Sequence, residues 1–472
     1  FRPGTFPDDF IWSTATASYQ IEGGWNASGK GESIWDRFSH TTGKVDRGDT
    51  GDVACDSYNK YREDARLMKD LGLKFYRFSL SWPRIFPDGT VAGGVNQAGV
   101  DYYNNVIDEL MANGITPMVT LYHWDLPQAL QDRYGGWVNE TLVDHFNDYA
   151  SYVFQAFGDR VRFWLTFNEP KVVCDNGHIT GEHAPGIRDP TLLTGYRAGH
   201  TLLKAHARAW HTYDRNFRQA QGGQVGITLN LDWAEPRDPD LPADVQATDR
   251  YMQIYSGWFA HPIYVDGDYP PFLKDEVRIN SLLFTPEDRA YILGTSDFFG
   301  LNHYVTRVVA NRDIVIGSRR RSMLSFYVFV YIIDRQCVKI GTIPNIYIRG
   351  GFNNFSRGFQ IRYGDPDIYI TENGRSDGDV QPPILEDTER VCYYAGYIDE
   401  VFKAIYEDGV KVKSYTAWSF MDNFEWARGY TERFGLHYVD FTDPNRPRTP
   451  KKSAGFYKDI IANNGFPEGA EV

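Results

Sequence analysis

Tyr363-Gly-Asp-Pro-Asp-Ile-Tyr-Ile-Thr-Glu-Asn-Gly374 is the stretch that decides the fold. Its apolar, β-branched segment Ile368-Tyr-Ile370 reads as a short buried strand, and Thr-Glu-Asn-Gly374 reads as the turn that ends it. One carboxylate, Glu372, therefore stands where a strand meets a loop. Val161-Arg-Phe-Trp-Leu-Thr-Phe-Asn-Glu-Pro170 has the same grammar and places Glu169 at the end of a second apolar strand. Two acids on the carboxyl ends of separate strands are what paired-carboxylate chemistry requires.

Outward from these strands the chain alternates short apolar runs with longer amphipathic ones. Strands are predicted at Phe10–Ala17, Phe75–Leu80, Thr116–Leu121, Val225–Leu231, Asp297–Leu301 and Lys413–Ser419, besides the two acid-bearing ones. Helices are predicted at Ser57–Leu71, Gln97–Asn113, Glu140–Phe157, Leu193–Gln219, Asp387–Glu407 and Lys452–Ile461. Eight such units imply a parallel sheet closed on itself, an α/β (β/α)8 TIM barrel with elaborated βα loops. No linker-like shift of composition divides the chain, so residues 1–472 are expected to form a single barrel domain. Glu169 and Glu372 then fall at the end of the barrel where chemistry is done. One stretch resists the pattern: residues 312–350 carry Arg319-Arg-Arg321 and the apolar run Phe326–Ile333, read as a strand. The helix expected at Gly351–Tyr363 has Ser356 and Gly358 where a packed face is wanted.

Composition narrows the function. A net charge of −13 argues against nucleic acid as a partner. Aromatics make up 15% of the chain, suiting a large core or a cleft walled by rings. No run reaches the roughly 18 apolar residues of a membrane span. The four cysteines show no C-x-x-C spacing, which leaves zinc and thioredoxin-type readings little support and the disulfide pairing open. The start at Phe1, without Met or a signal peptide, fits a processed form. The sequons at Asn26, Asn139 and Asn354 favour a secreted or lumenal location over a cytoplasmic one. Oligomeric state is not readable.

Several motifs dissolve on inspection. Gly24-Trp-Asn-Ala-Ser-Gly-Lys-Gly31 approaches a phosphate loop, but Gly31 stands where a Ser or Thr would ligate magnesium. No G-x-S-x-G, H-E-x-x-H or EF-hand pattern occurs. His178 and His183 lie in a loop-like stretch and read as a solvated or hydrogen-bonded pair rather than metal ligands. The two acids have a different setting. Asn168 precedes Glu169, Asn373 follows Glu372, and Arg77 lies on a strand where its charge could hold a carboxylate ionised. Trp124, Trp418, Trp426 and Phe434 fall at or beyond other strand ends, near the polar Gln20, His123, Asn168 and Glu425. Rings beside hydroxyl-binding groups read as a saccharide pocket rather than as core alone.

Thr166-Phe-Asn-Glu-Pro170 and Ile370-Thr-Glu-Asn-Gly374 resemble the two signature motifs of the family 1 glycoside hydrolases, the β-glucosidase family. Ala17-Ser-Tyr-Gln-Ile-Glu-Gly23, Tyr76-Arg-Phe-Ser-Leu-Ser-Trp82, Leu121-Tyr-His-Trp-Asp-Leu-Pro127, Ala417-Trp-Ser-Phe-Met-Asp-Asn-Phe-Glu-Trp426 and Arg433-Phe-Gly-Leu436 belong to the same set. The wording is most similar to animal lactase- and klotho-related members, and the resemblance spans Thr5 to Ala310 and Gly364 to Tyr457. It implies Glu169 as general acid/base and Glu372 as nucleophile. Arg77, Asn302 and Tyr304 would set the geometry and charge of Glu372. Gln20, His123, Trp124, Asn168, Trp418, Glu425, Trp426 and Phe434 would bind the sugar.

The implied reaction is retaining hydrolysis of a small β-glycoside or oligosaccharide, on β-glucosides and also β-galactosides or β-fucosides, with no cofactor and no metal. Myrosinases lack the acid/base glutamate that Glu169 supplies, a carboxylate at Glu425 would repel a phosphorylated sugar, and klotho-like binding domains lose one or both acids. A non-catalytic sugar-binding barrel and a transglycosidase stand as the alternatives. The departure lies at residues 312–363, where the family's leaving-group Trp is missing and only Gly351-Phe352 survives of a helix opening. Either the leaving-group wall is unusual or that part of the sequence is aberrant.

Overall fold

A computed structural model describes residues 4–275, 282–311, 331–332 and 362–467. Eight strands close into a barrel: β1 (Ile11–Ala15), β2 (Phe75–Ser79), β3 (Thr116–Tyr122), β4 (Phe163–Asn168), β5 (Gln224–Asn230), β6 (Phe299–Asn302), β7 (Ile368–Asn373) and β8 (Val412–Trp418). Each pairs in parallel with the next in the chain, and β8 returns to β1. The principal helices outside it are α1 (Ser57–Asp70), α2 (Gln97–Ala112), α3 (Thr141–Phe157), α4 (Leu193–Asn216), α5 (Pro242–Tyr255), α6 (Thr388–Tyr406) and α7 (Lys452–Asn463). This is the (β/α)8 barrel expected from the alternation.

Packing follows from the periodicity. On α3 the buried residues Leu142, Phe146, Tyr149, Val153 and Phe157 recur at helical spacing and face the barrel. Phe146 stacks on Phe167 of β4 at 4.4 Å, and Tyr149 stacks on Trp82 at 4.8 Å. Such aromatic pairs add about 0.5–1.5 kcal/mol beyond their area. Inside the barrel, Met118, Leu165, Phe298 and Tyr369 form a separate apolar plug with Ile11 and Phe163 against it. A small cavity of about 30 Å³ lies between β2, the turn after β1 and helices α1 and α2, lined by Tyr61, Met68, Tyr76 and Tyr102. It has room for roughly one water.

The departures from expectation are local. The first strand stops at Ala15, because Ser18–Ile21 coil into a helical turn that carries Gln20. The long helix ends at Asn216, where Phe217 leaves helical geometry, and Arg218–Gln221 form a separate turn. Asp297 stays outside β6: its carboxylate accepts from Arg218 Nη1 and from the Val225 N–H, both at 2.7 Å. The Gly24–Gly31 loop, by contrast, is as expected no phosphate loop: no helix starts at Lys30, whose ammonium pairs with buried Asp36 at 2.7 Å. His178 lies in a π-helical turn, Val173–Thr180, buried and hydrogen-bonded through Nδ1 to the Val173 carbonyl at 2.9 Å, while His183 sits in the half-buried loop that follows; burial lowers both imidazoles to about 4. Of the Phe326–Ile333 run, Tyr331–Ile332 form a strand pair with Val308 and Arg307, and the rest lies outside the described residues. So do residues 351–361 of the expected helix, and Asn354 with them.

Both acid-bearing strands lose register just before the acid. On β4 the shift against β5 lies between Leu165 and Asn168; on β7 the shift against β6 lies between Ile370 and Glu372. Such irregularities re-aim side chains that strict alternation would send elsewhere.

Candidate active site

Arg77, on β2, is fully buried and saturated with partners. Its guanidinium donates to Glu372 Oε1 at 2.7 Å, to the Thr371 carbonyl at 2.9 Å, to Asn168 Oδ1 at 2.6 Å and to Thr120 Oγ1 at 3.2 Å. The other oxygen of Glu372 accepts from the Tyr304 hydroxyl at 2.6 Å. Burial raises Glu372 above the ordinary carboxylate range, and Arg77, Tyr304 and Asn302 oppose that rise.

Glu169 has a different neighbourhood. Its Oε1 accepts from Asn302 Nδ2 at 2.8 Å, and the same amide lies 3.1 Å from Asn168 Oδ1. Asn302, expected on sequence grounds to serve Glu372, gives its amide nitrogen to Glu169 and Asn168 and is also among the groups that lower Glu372. Burial first, and the charge of Glu372 second, push Glu169 up to about 8. Of the two acids, Glu372 has the setting that favours the charged form, because the guanidinium and the phenol both face it. Glu169 also holds a left-handed backbone conformation, φ 46°, as do Trp124 at 77° and Trp426 at 53°. Each costs about 1–3 kcal/mol and persists only where the surroundings fix it.

The remaining sequence-nominated residues gather on the same end of the barrel. Asn168 Nδ2 lies 2.9 Å from His123 Nε2. Burial and the Arg77 charge keep His123 neutral, so Nε2 accepts and the ring proton sits on Nδ1. Gln20 Nε2 donates to Glu425 Oε2 at 3.1 Å and to the Phe424 carbonyl at 2.9 Å. Burial, with Glu372 next, raises Glu425 to about 8. Trp418 and Trp426 both stack with His123, at 6.0 and 5.8 Å, Trp124 meets Trp426 at 4.6 Å, and Phe434 meets Tyr304 edge-on at 6.3 Å. Gln20 Oε1 and His123 Nδ1 are buried with no hydrogen-bond partner among the described residues. Leaving such atoms unpaired costs about 1–3 kcal/mol each, and ligand hydroxyls are the natural partners.

Three supports escaped the sequence reading. Thr371 Oγ1 donates to Asn302 Oδ1 at 2.8 Å and so fixes which end of that amide meets Glu169. Its place inside the Thr-Glu-Asn turn was the only available signal. Asn423, which anchors Gln20, had only its place inside the Ala417–Trp426 motif as a signal, and Thr120, which anchors Arg77, had none. Gly374 is required by space: a Cβ there would lie 1.8 Å from the Trp418 carbonyl oxygen.

Residues 2–466 match the family model described as Glycosyl hydrolase family 1. The chain is 47% identical over 484 residues to lactase/phlorizin hydrolase of Homo sapiens, with 100% of this chain aligned but only 24% of that protein's length. It is 43% identical over 475 residues to cytosolic beta-glucosidase of Cavia porcellus, covering 98% of this chain and 99% of that one. Among solved structures, the beta-glucosidase from Trichoderma harzianum superposes with a TM-score of 0.88 at 42% identity, over 98% of each chain. Sequence, barrel and whole-length likeness agree, and the chain belongs to glycosyl hydrolase family 1.

Proposed function

We propose that residues 1–472 act as a single catalytic barrel, a retaining β-glycosidase that hydrolyses terminal β-D-glucosides and accepts β-galactosides and β-fucosides as further substrates. The observation that carries this reading is the unequal setting of two buried acids. Glu372 is held by a guanidinium and a phenol; Glu169 has one neutral amide and a raised pKa. One is suited to stay ionised and attack, the other to stay protonated and donate.

In the first step Glu372 attacks the anomeric carbon and Glu169 protonates the departing glycosidic oxygen. The glycosyl-enzyme ester is then opened by water, from which Glu169, now a base, takes the proton. Neither step calls on a metal or a redox group. Gln20, His123, Asn168, Glu425 and Trp426 would bind the sugar hydroxyls, with Trp418 as the floor under the ring and Trp124 and Phe434 lining the wall. The relatives named beta-glucosidase support the choice of glycone. The test is stereochemical. Proton NMR of the first-formed sugar should show the β-anomer; initial release of the α-anomer would rule out double displacement.

A secreted or lumenal location remains part of the proposal, although one relative is named cytosolic. Among the described residues no helix is long and apolar enough to cross a membrane. Asn26 is exposed, whereas Asn139 is half-buried and its Oδ1 accepts from the Thr141 N–H at 3.0 Å. Protein isolated from its natural source should carry a glycan on Asn26; unmodified Asn26 there would count against secretion.

A further inference from the structure

Helix α6 presents Arg390, Tyr393, Tyr394 and Tyr397 at spacings of three and four, which is one face of a helix. Each donates to a backbone carbonyl near the site. Arg390 reaches the carbonyls of Arg375, Arg433 and Gly435 at 3.0, 2.6 and 2.9 Å, and Tyr394 reaches that of Trp418 at 3.1 Å. The other two converge: Tyr393 and Tyr397 both donate to the Tyr304 carbonyl, at 2.9 and 2.8 Å.

That carbonyl lies between β6, which ends at Asn302, and the next strand, which begins at Thr306, so no ladder holds it. Two hydroxyls use both of its acceptor positions and fix the peptide from two directions. Tyr393 Oη also accepts from Asn373 Nδ2 at 3.0 Å, which ties the same point to the residue after Glu372. On the other side, the Tyr304 hydroxyl donates to Glu372 Oε2 at 2.6 Å.

We propose that Tyr393 and Tyr397 are positioning residues that hold the Tyr304 hydroxyl on Glu372 and thereby keep that carboxylate charged, without touching substrate. This rests on the reading of Glu372 as nucleophile. The other groups facing Glu372 are Arg77 from β2, Asn302 from β6, Glu169 from β4 and Glu425 from the loop after β8. None of these is bonded to the Tyr304 backbone among the hydrogen bonds described; Tyr397 reaches Glu372 through Tyr304, and Tyr393 through Tyr304 and, more weakly, through Asn373.

The test is the pH dependence of kcat/KM for an aryl β-glucoside in the full chain. Tyr393→Phe/Tyr397→Phe keeps the rings, which pack 4.6 Å apart, and removes both hydroxyls. Its acid limb should move up by about half to one pH unit, toward that of Tyr304→Phe. Returning either hydroxyl should move it back. On a Tyr304→Phe background the same pair should add little further shift, because the group they position is gone. A folded double variant with an unmoved limb, or a shift of equal size in the Tyr304→Phe background, would overturn the proposal. Should the double variant not fold, each single variant on the two backgrounds makes the same comparison. Covalent labelling of wild-type Glu372 by a 2-deoxy-2-fluoro β-glucoside separates the two claims: labelling with an unmoved limb refutes the positioning role alone, and failure to label refutes the reading beneath it.

Discussion

Arg77 and Glu372 form an ion pair at 2.7 Å with both side chains almost wholly buried. Arg77 also holds Asn168 and Thr120, so one guanidinium joins β2 to β3, β4 and β7 at the mouth of the barrel. Removing one partner of such a pair leaves an uncompensated buried charge. Arg77→Met is therefore expected to cost about 3–5 kcal/mol of stability. It should also lower kcat/KM by about 100-fold or more, as Glu372 loses the charge that keeps it ionised. Chemical denaturation and steady-state kinetics check both; a stable, active Arg77→Met would contradict the role of the pair.

Glu169 sets the basic side of activity. With its pKa raised to about 8, the proton it must donate is lost as pH rises through that value, and kcat/KM should fall there. In Glu169→Gln that limb should vanish from the residual activity. Glu169→Ala should slow poor leaving groups by about 10²–10⁴-fold in glycosylation and activated aryl glycosides far less. Equal slowing of both would remove Glu169 from the acid role. The linked effect on stability has a definite sign. From an ordinary value near 4.5, the folded group is raised, so its favourable contribution is present below 4.5 and is lost as pH rises through about 8. Thermal melts of Glu169→Gln should show it gaining on the wild type between pH 5 and pH 9, by about a few degrees. A constant difference across that range would be inconsistent with the raised pKa.

Gly374→Ala tests the packing behind the nucleophile. The added Cβ would fall 1.8 Å from the Trp418 carbonyl, a backbone atom that cannot swing aside. Either the end of β7 or the turn after β8 must move, at a cost of about 1–3 kcal/mol. Kinetics should show a loss larger than the stability change explains, since both Glu372 and Trp418 shift. Wild-type kcat with a wild-type melting point would show that the contact relaxes without consequence.

Much of this was legible in the sequence, and for identifiable reasons. Strand ends such as Thr-Glu-Asn-Gly374 combine a β-branched run with a turn, so both the element and the side chain at its tip could be read. The strands of Glu169 and Glu372, and the elements that bring Gln20, His123, Trp418 and Phe434 beside them, fall within a few residues of their expected places. What could not be read is register. The shifts before Asn168 and Glu372 depend on pairing with β5 and β6, which no local pattern encodes. Asn302 was assigned to Glu372, and its amide nitrogen goes to Glu169 and Asn168, because its partners lie on strands distant in sequence. Nothing in the sequence singles out Tyr393 and Tyr397 on α6; only the fold shows that their hydroxyls end on Tyr304. Asp297 read as strand with the apolar run that follows it; β6 begins only at Phe299, and the Asp297 carboxylate holds Arg218.

The identity of the nucleophile is the centre of the proposed chemistry, and trapping measures it directly. Incubation with a 2-deoxy-2-fluoro β-glucoside, followed by proteolysis and mass spectrometry, should place one fluoroglucosyl group on the peptide containing Glu372, with activity lost in step. A folded, unlabelled enzyme that still hydrolyses β-glucosides, or a label on Glu169 instead, would contradict it.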